Sequence, residues 1–194
     1  MIEETGFAFL FAQKYHPAMR HVGPVRGELK LRTVFNILGP MTNPAGVRRQ
    51  MIGVFDPAVR ATICEVLGAL GSERVWALHG AGGLDELSIA GVTQVTELAD
   101  GAQREFEVVP EDAGVESSPL ESLKGGDASV NAGIIEKLLD GEPGPHRNAV
   151  VLNAAGALVV QGLAADLSEG GARASEAIDS GAAGKVLDRL RGRS

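Results

Sequence analysis

The chain holds a single cysteine, Cys64, in 194 residues. One thiol excludes an internal disulfide and a multi-cysteine zinc site. Aromatic residues are only 4%, so the core must be built mostly from Ala, Val, Leu and Ile. The longest apolar stretch, residues 149–160, covers 12 positions and is interrupted by Asn153. It falls well short of the ~20 residues that span a bilayer. Positive charge is also scarce, since 18 Lys and Arg against 25 Asp and Glu leave a net charge of −7. The one dense basic cluster is Arg189, Arg191 and Arg193 at the tail. A phosphate-backbone binder usually carries a basic face, so nucleic acid is a poor partner for this chain. The opening Met1-Ile-Glu-Glu-Thr-Gly6 has no basic stretch ahead of an apolar one. The expectation is a cytoplasmic protein with no membrane partner.

Glycine, by contrast, is abundant. The 26 glycines are about twice the usual ~7%, which points to tight turns and close backbone approaches rather than a helical bundle. Length suggests about one domain, or one and a fragment. With 44% apolar and 22% charged residues, the composition is that of an ordinary globule and too apolar for disorder.

Residues 5–38 read as helical, closing at Gly39-Pro40. Met51–Phe55 reads as a buried strand, and Asp56-Pro57 as a helix start with Pro at the first helical position. Val59, Ile63, Val66, Leu67 and Leu70 mark that helix's apolar face, which also holds Cys64, a core residue by its neighbours. Val75–Leu78 is the next strand, and a strand–helix–strand unit normally means parallel neighbours. Strands near 92–98 and 106–109 flank a hairpin at Asp100-Gly101. Asp127 is expected to cap a helix whose Val130, Ile134, Ile135, Leu138 and Leu139 face inward. Residues 149–160 read as a core helix, Ser168 as the cap of another, and 182–191 as the last helix. The class is α/β, with helices collected at both ends.

Few motifs carry chemistry. His79-Gly-Ala-Gly-Gly-Leu-Asp-Glu86 follows a strand and imitates a dinucleotide fingerprint for two glycines. Asp85 stands where the third glycine should be and no helix opens after it, so that reading fails. Asp85-Glu86 is an adjacent carboxylate pair beyond a strand's carboxyl end, where ligands of open α/β sheets collect. Mg²⁺ takes one or two carboxylates and leaves its other positions to water and phosphate. On spacing alone a solvated acidic turn is the simpler account. His16, Arg20, His21 and Arg26 fall within 11 residues. A guanidinium there could receive a carboxylate or phosphate, though surface arginines on a helix explain the pattern as well. His16 and His21 are not at the i, i+4 spacing of a helical metal site.

These residues closely resemble the anthranilate phosphoribosyltransferase family. The resemblance is carried by Gly6-Phe-Ala-Phe-Leu-Phe-Ala12, His16-Pro-Ala-Met19, Val25-Arg26, Arg32-Thr-Val-Phe-Asn-Ile-Leu-Gly-Pro40, Thr42-Asn-Pro44, His79-Gly80, Gly83-Leu-Asp-Glu86, Gly125-Gly-Asp127 and Val151-Leu-Asn-Ala-Ala155. It implies a mostly parallel sheet flanked by helices, of the nucleoside phosphorylase and phosphoribosyltransferase type. A helical segment over 1–44 would precede an α/β domain over 45–194. The implied substrates are anthranilate and phosphoribosyl pyrophosphate, with Mg²⁺ as cofactor and tryptophan biosynthesis as the setting. Arg26 falls on the arginine that holds the anthranilate carboxylate. Asp85 and Glu86 fall on the pair that binds Mg²⁺ at the diphosphate, and His16, Met19, Gly39 and Pro40 on the anthranilate pocket. An arylamine is already unprotonated near neutral pH, so no general base is assigned.

The departure from the family matters too. The family's Gly-Thr-Gly-Gly-Asp loop and Lys-His-Gly-Asn segment, which cradle the diphosphate and ribose, are absent from the sequence. The resemblance is to the C-terminal part of the family alone. It implies a half-site that is inactive by itself and takes a complementary N-terminal half, or a second copy of the chain, as partner. Two alternatives stand beside it: a paralogous phosphoribosyltransferase or nucleoside phosphorylase, and a non-catalytic interaction protein.

Overall fold

A computed structural model describes residues 2–15, 39 and 41–192. The chain divides into two compact units, Met1–Val47 and Arg48–Ser194, each taken by itself below.

In the first unit, α1 spans Ile2–Thr5 and α2 spans Ala12–Tyr15. The Thr5 hydroxyl donates to the Phe7 carbonyl at 2.9 Å and accepts the Phe7 N–H at 3.2 Å. With Gly6 at φ 75°, this local bonding competes with the helix and ends it. Residues 7–11 are consequently not helical, which corrects the expectation of helix there. Phe9 is 72% exposed. Residues 16–38, with His16, Met19 and Arg26, and also Pro40, lie outside the described residues. Gly39 begins a turn in which its carbonyl accepts from the Thr42 N–H and hydroxyl.

The second unit is built on a sheet in the order β1-β2-β3-β4, comprising Arg49–Gly53, Arg74–His79, Thr93–Ala99 and Ala102–Val108. β1 and β2 run parallel, as the strand–helix–strand pattern requires. β2 with β3 and β3 with β4 are antiparallel, so the parallel arrangement holds in the first pairing only. The reason lies in the connections: only a single 3-10 turn, Ala81–Gly83, and no α-helix intervenes between β2 and β3, and β3 meets β4 through a tight turn. Asp100 and Gly101 take φ 51° and 76° there, the left-handed pair that a two-residue hairpin needs.

Side chains alternate across the sheet. Trp76 and Leu78 of β2 join Val95, Leu152, Ala155 and Val159 on one face. On the other lies α3, Arg60–Ala69, entered through a single turn that Asp56 caps by accepting the Ala58 N–H at 2.9 Å. Its Cys64 is fully buried and donates to the Thr96 carbonyl at 3.3 Å.

Four more helices follow: α4 Ala128–Leu139, α5 Pro145–Gln161, α6 Leu167–Asp179 and α7 Ala182–Arg191. Asp127 caps α4 through the Ser129 and Val130 N–H groups. The inward face expected of α4 is reduced to one buried residue, Leu138; Val130 is 52% and Ile135 47% exposed. That face borders an open groove rather than a core. The cap of α6 is Asp166 and not Ser168: Asp166 accepts the Glu169 N–H while Glu169 accepts the Ala165 N–H, both at 2.8 Å. These two bonds start the helix at Leu167, two positions earlier than a Ser168 cap would, and place Ser168 inside it. α5 is the central core helix, packed between the sheet and α6, where Val151 meets Ala174 and Ile178.

Candidate functional site

The chain leaves the carboxyl end of β2 through a turn that starts at Gly80. Gly80 and Leu84 exchange backbone hydrogen bonds at 2.8 and 3.2 Å, and Gly82 and Gly83 both take φ 79°. That conformation favours glycine, so the Gly-rich stretch reverses the chain without opening a helix. Asp85 and Glu86 follow immediately, both exposed.

Backbone packing sets their position. A Cβ on Gly53, the last residue of β1, would fall 1.5 Å from the Asp85 carbonyl oxygen. A Cβ on Gly80 would fall 2.4 Å from that of Glu86. The acidic pair therefore rests on two bare glycines at the carboxyl ends of two parallel strands. His79 links those ends by donating from Nδ1 to the Val54 carbonyl at 2.8 Å.

Beyond Glu86 the turn is held on all sides. Leu87 is buried in the core, and its backbone N–H and C=O both bond the Asn153 carboxamide of α5 at 2.9 Å. Ser88 donates its N–H to the Thr93 hydroxyl at 2.9 Å and its own hydroxyl to the Ala81 carbonyl at 3.1 Å. On sequence alone Asn153 registers as an interruption of the longest apolar stretch and as part of the Val151–Ala155 resemblance, with no role attached, and Gly53, Ser88 and Thr93 give no signal. All four act by meeting or bonding backbone, which residue spacing does not display.

Glu86 also borders an apolar groove of about 270 Å³ between α4 and α5, lined by Leu123, Ile134, Leu138 and Ala149 among others. His146 lines it as well, with Nε2 buried and without a hydrogen-bond partner. Partial desolvation there, and secondarily the neighbouring Asp85 charge, raise the Glu86 carboxyl above the usual carboxylate range. Two oxygen-donor side chains thus stand side by side with no cationic residue among the causes that set Glu86's titration. Among the described residues, no group of three or more His, Cys, Asp and Glu side chains could hold a metal. The pair offers two hard ligands rather than a closed cage.

A second polar cluster lies along β2–β4. Glu97, its side chain 2% exposed, accepts from Trp76 Nε1 at 2.8 Å and Arg74 Nε at 2.9 Å, and from Arg104 Nε. Burial by itself would raise its carboxyl, but the bonds from Trp76, Arg104 and Arg74 together outweigh burial and hold it below the usual range. Arg74 also donates to the Val159 carbonyl at 2.8 Å, tying the sheet to α5, which makes this cluster a structural pin.

Of the residues singled out from sequence, the structure brings Asp85 and Glu86 together on a rigid mount. Gly39 belongs to the first unit, and Arg26, His16, Met19 and Pro40 lie outside the described residues.

A family model described as "Glycosyl transferase family, a/b domain" matches residues 1–184. An anthranilate phosphoribosyltransferase of Rhodopseudomonas palustris (strain TIE-1) is 52% identical over 189 residues, covering 97% of this chain and 56% of that protein. The crystal structure of anthranilate phosphoribosyltransferase from Thermus thermophilus superposes with a TM-score of 0.89 at 46% identity, covering 97% of this chain and 56% of that one. The Saccharomyces cerevisiae enzyme in complex with PRPP and Mg matches with a TM-score of 0.79 at 28% identity, covering 91% of this chain and 50% of that one. The chain thus spans about half the length of the curated relatives it matches.

Proposed function

The chain belongs to the glycosyl transferase family, a/b domain, and on that premise we propose that it carries the anthranilate- and magnesium-binding half of an anthranilate phosphoribosyltransferase of tryptophan biosynthesis. The reaction moves the phosphoribosyl group of phosphoribosyl pyrophosphate to the amine of anthranilate. A bond forms between the amine nitrogen and the anomeric carbon, the bond from that carbon to the diphosphate oxygen breaks, and pyrophosphate leaves.

One observation carries the reading: two adjacent carboxylates, fixed through their backbone at the carboxyl ends of β1 and β2, where ligands of open α/β sheets collect. Asp85 and Glu86 would hold Mg²⁺, and the pair suits that ion, because both are oxygen donors and Mg²⁺ takes one or two carboxylates, leaving its other positions to water and phosphate. Magnesium would offset negative charge on the departing diphosphate. Arg26 would grip the anthranilate carboxylate with two parallel N–H groups and so aim the ring amine at the sugar. His16, Met19, Gly39 and Pro40 would line the pocket for the ring. No side chain needs to remove a proton before attack.

The phosphate cradle must come from elsewhere, since the family's glycine-rich loop is not in the sequence. Each lost backbone donor can cost about 10²–10³ in rate. The partner we propose is a complementary N-terminal half, for a chain made of a helical segment over 1–44 and an α/β domain over 45–194. Among the described residues no helix is long and apolar enough to cross a membrane, and the cytoplasm is the proposed location.

The test follows the loss of anthranilate fluorescence after adding phosphoribosyl pyrophosphate and Mg²⁺. The chain alone is expected to give negligible turnover. Turnover should appear when the N-terminal half of a curated relative is supplied. In that reconstituted enzyme Arg26→Ala raises the anthranilate KM, and Asp85→Ala lowers kcat and its response to Mg²⁺ by about 10²-fold. If neither substitution changes activity, the assigned roles are wrong. Turnover by the chain alone would remove the need for a separate cradle.

A further inference from the structure

We infer that Asn153 is a positioning residue for the acidic pair: through paired hydrogen bonds to the Leu87 backbone it fixes how Glu86 presents its carboxylate. The inference rests on the proposed divalent-cation role of Asp85 and Glu86 and names a residue that acts on them from another element.

Asparagine is a weak helix former, because its side chain competes for backbone hydrogen bonds. Yet Asn153 sits in the middle of α5, between the fully buried Leu152 and Ala155. Its carboxamide makes three hydrogen bonds, with both amide hydrogens used. Oδ1 accepts the Leu87 N–H at 2.9 Å, while Nδ2 donates to the Leu87 carbonyl at 2.9 Å and to the Ala149 carbonyl at 3.0 Å. A flipped amide would set NH₂ against N–H and oxygen against two carbonyls, so one orientation is keyed.

The same helix holds Leu87 a second time. Gly156, one turn on from Asn153 and on the same face, lets the Leu87 side chain approach so closely that a Cβ there would lie 2.7 Å from Leu87 Cδ1. α5 therefore grips both backbone and side chain of the residue next to Glu86. The Glu86 carbonyl is packed on Gly80, so both ends of that residue are fixed while its side chain stays exposed. A carboxylate aimed in this way loses little freedom when it takes a cation.

The experiment uses the 194-residue chain and Mn²⁺ as a paramagnetic probe, read by amide NMR, with hydrogen exchange at the Leu87 amide. In the wild type, Mn²⁺ should broaden the amides of residues 85–87 first. Asn153→Ala, and Asn153→Gln as the variant that keeps the polar groups but misplaces them, should speed Leu87 exchange at least about tenfold. They should also raise the Mn²⁺ concentration for half-broadening about tenfold. Ile178→Val in the α5–α6 core serves as a control that lowers stability without touching the turn, and it should leave both readouts unchanged. Wild-type chain that shows no selective broadening at 85–87 overturns the cation reading and this inference with it. Selective broadening that persists at the same Mn²⁺ concentration in either folded Asn153 variant overturns the inference alone. So does an equal loss of Mn²⁺ response in Ile178→Val.

Discussion

Gly53 and Asp85 touch where no side chain can intervene: a Cβ on the glycine would lie 1.5 Å from the Asp85 carbonyl oxygen and 2.2 Å from its carbonyl carbon. The β1 strand end is thus a seat for the acidic turn. Gly53→Ala must push that turn off the sheet. We expect it to lower stability by about 3 kcal/mol, the upper range for overpacking, and to shift the amide resonances of residues 84–88. Denaturant titration with NMR checks both, and a well-folded Gly53→Ala with unmoved resonances would refute the contact.

Two other glycines make the opposite prediction. Gly133 in α4 and Gly184 in α7 would meet nothing within 4 Å if given a Cβ. Each Gly→Ala change is expected to stabilise the chain by about 0.5–1 kcal/mol through helix propensity. Thermal or denaturant unfolding of the two variants provides the comparison with Gly53→Ala.

Glu97 gives the pH prediction. Its folded carboxyl is held below the ordinary 4.5, so its contribution is fully present above 4.5 and fades as the pH falls through the lowered value. Glu97→Gln keeps an acceptor for Trp76 but removes the charge that Arg74 and Arg104 meet. It should cost about 2 kcal/mol at neutral pH, and the gap to wild type should close as the pH drops below 4.5. Other carboxyls are lowered too, among them Asp179 opposite Arg147. The whole curve therefore declines in acid, and only the difference between wild type and Glu97→Gln isolates this residue. A gap that does not narrow would contradict the assignment.

Cys64 is fully enclosed, and burial pushes its thiol up to about 11. The thiolate is the reactive form, so the folded chain should resist iodoacetamide near pH 8. Labelling should follow the fraction unfolded across a urea titration. Rapid labelling in native buffer would show that α3 opens locally from the sheet.

Local chemistry made much of the second unit readable from sequence. Asp56-Pro57, Asp100-Gly101 and Asp127 each encode a cap or turn within a few residues, and each stands where expected. The errors arise where two local signals compete or where distant packing decides. Asp166 outranks Ser168 because Glu169 completes its box. Val130 and Ile135 have the spacing of a core face, but Val130 is 52% exposed and Ile135 borders a groove. The direction of β3 depends on its link to β2, which composition does not reveal. At the candidate site, Asp85 and Glu86 were visible as an acidic pair beyond a strand. Their mounting was not, because Gly53 and Asn153 contribute from other elements by close approach and by hydrogen bonds to backbone.

The helical glycines bear on how the molecule answers compression. Gly156 meets Leu87 and Met51 at the sheet, Gly170 meets the backbone of Ala155, and Gly171 would place a Cβ 2.0 Å from the Ala113 carbonyl oxygen. At Gly170 and Gly171 main chain meets main chain, while the side chains of Trp76, Leu78, Leu152 and Val159 fill the space between sheet and central helix. Hydrostatic pressure unfolds proteins by collapsing internal voids, and this stack offers it little empty volume at its centre. The groove beside Glu86, by contrast, is open space at the surface of the second unit, where a ligand or a neighbouring chain would meet apolar side chains rather than packed backbone.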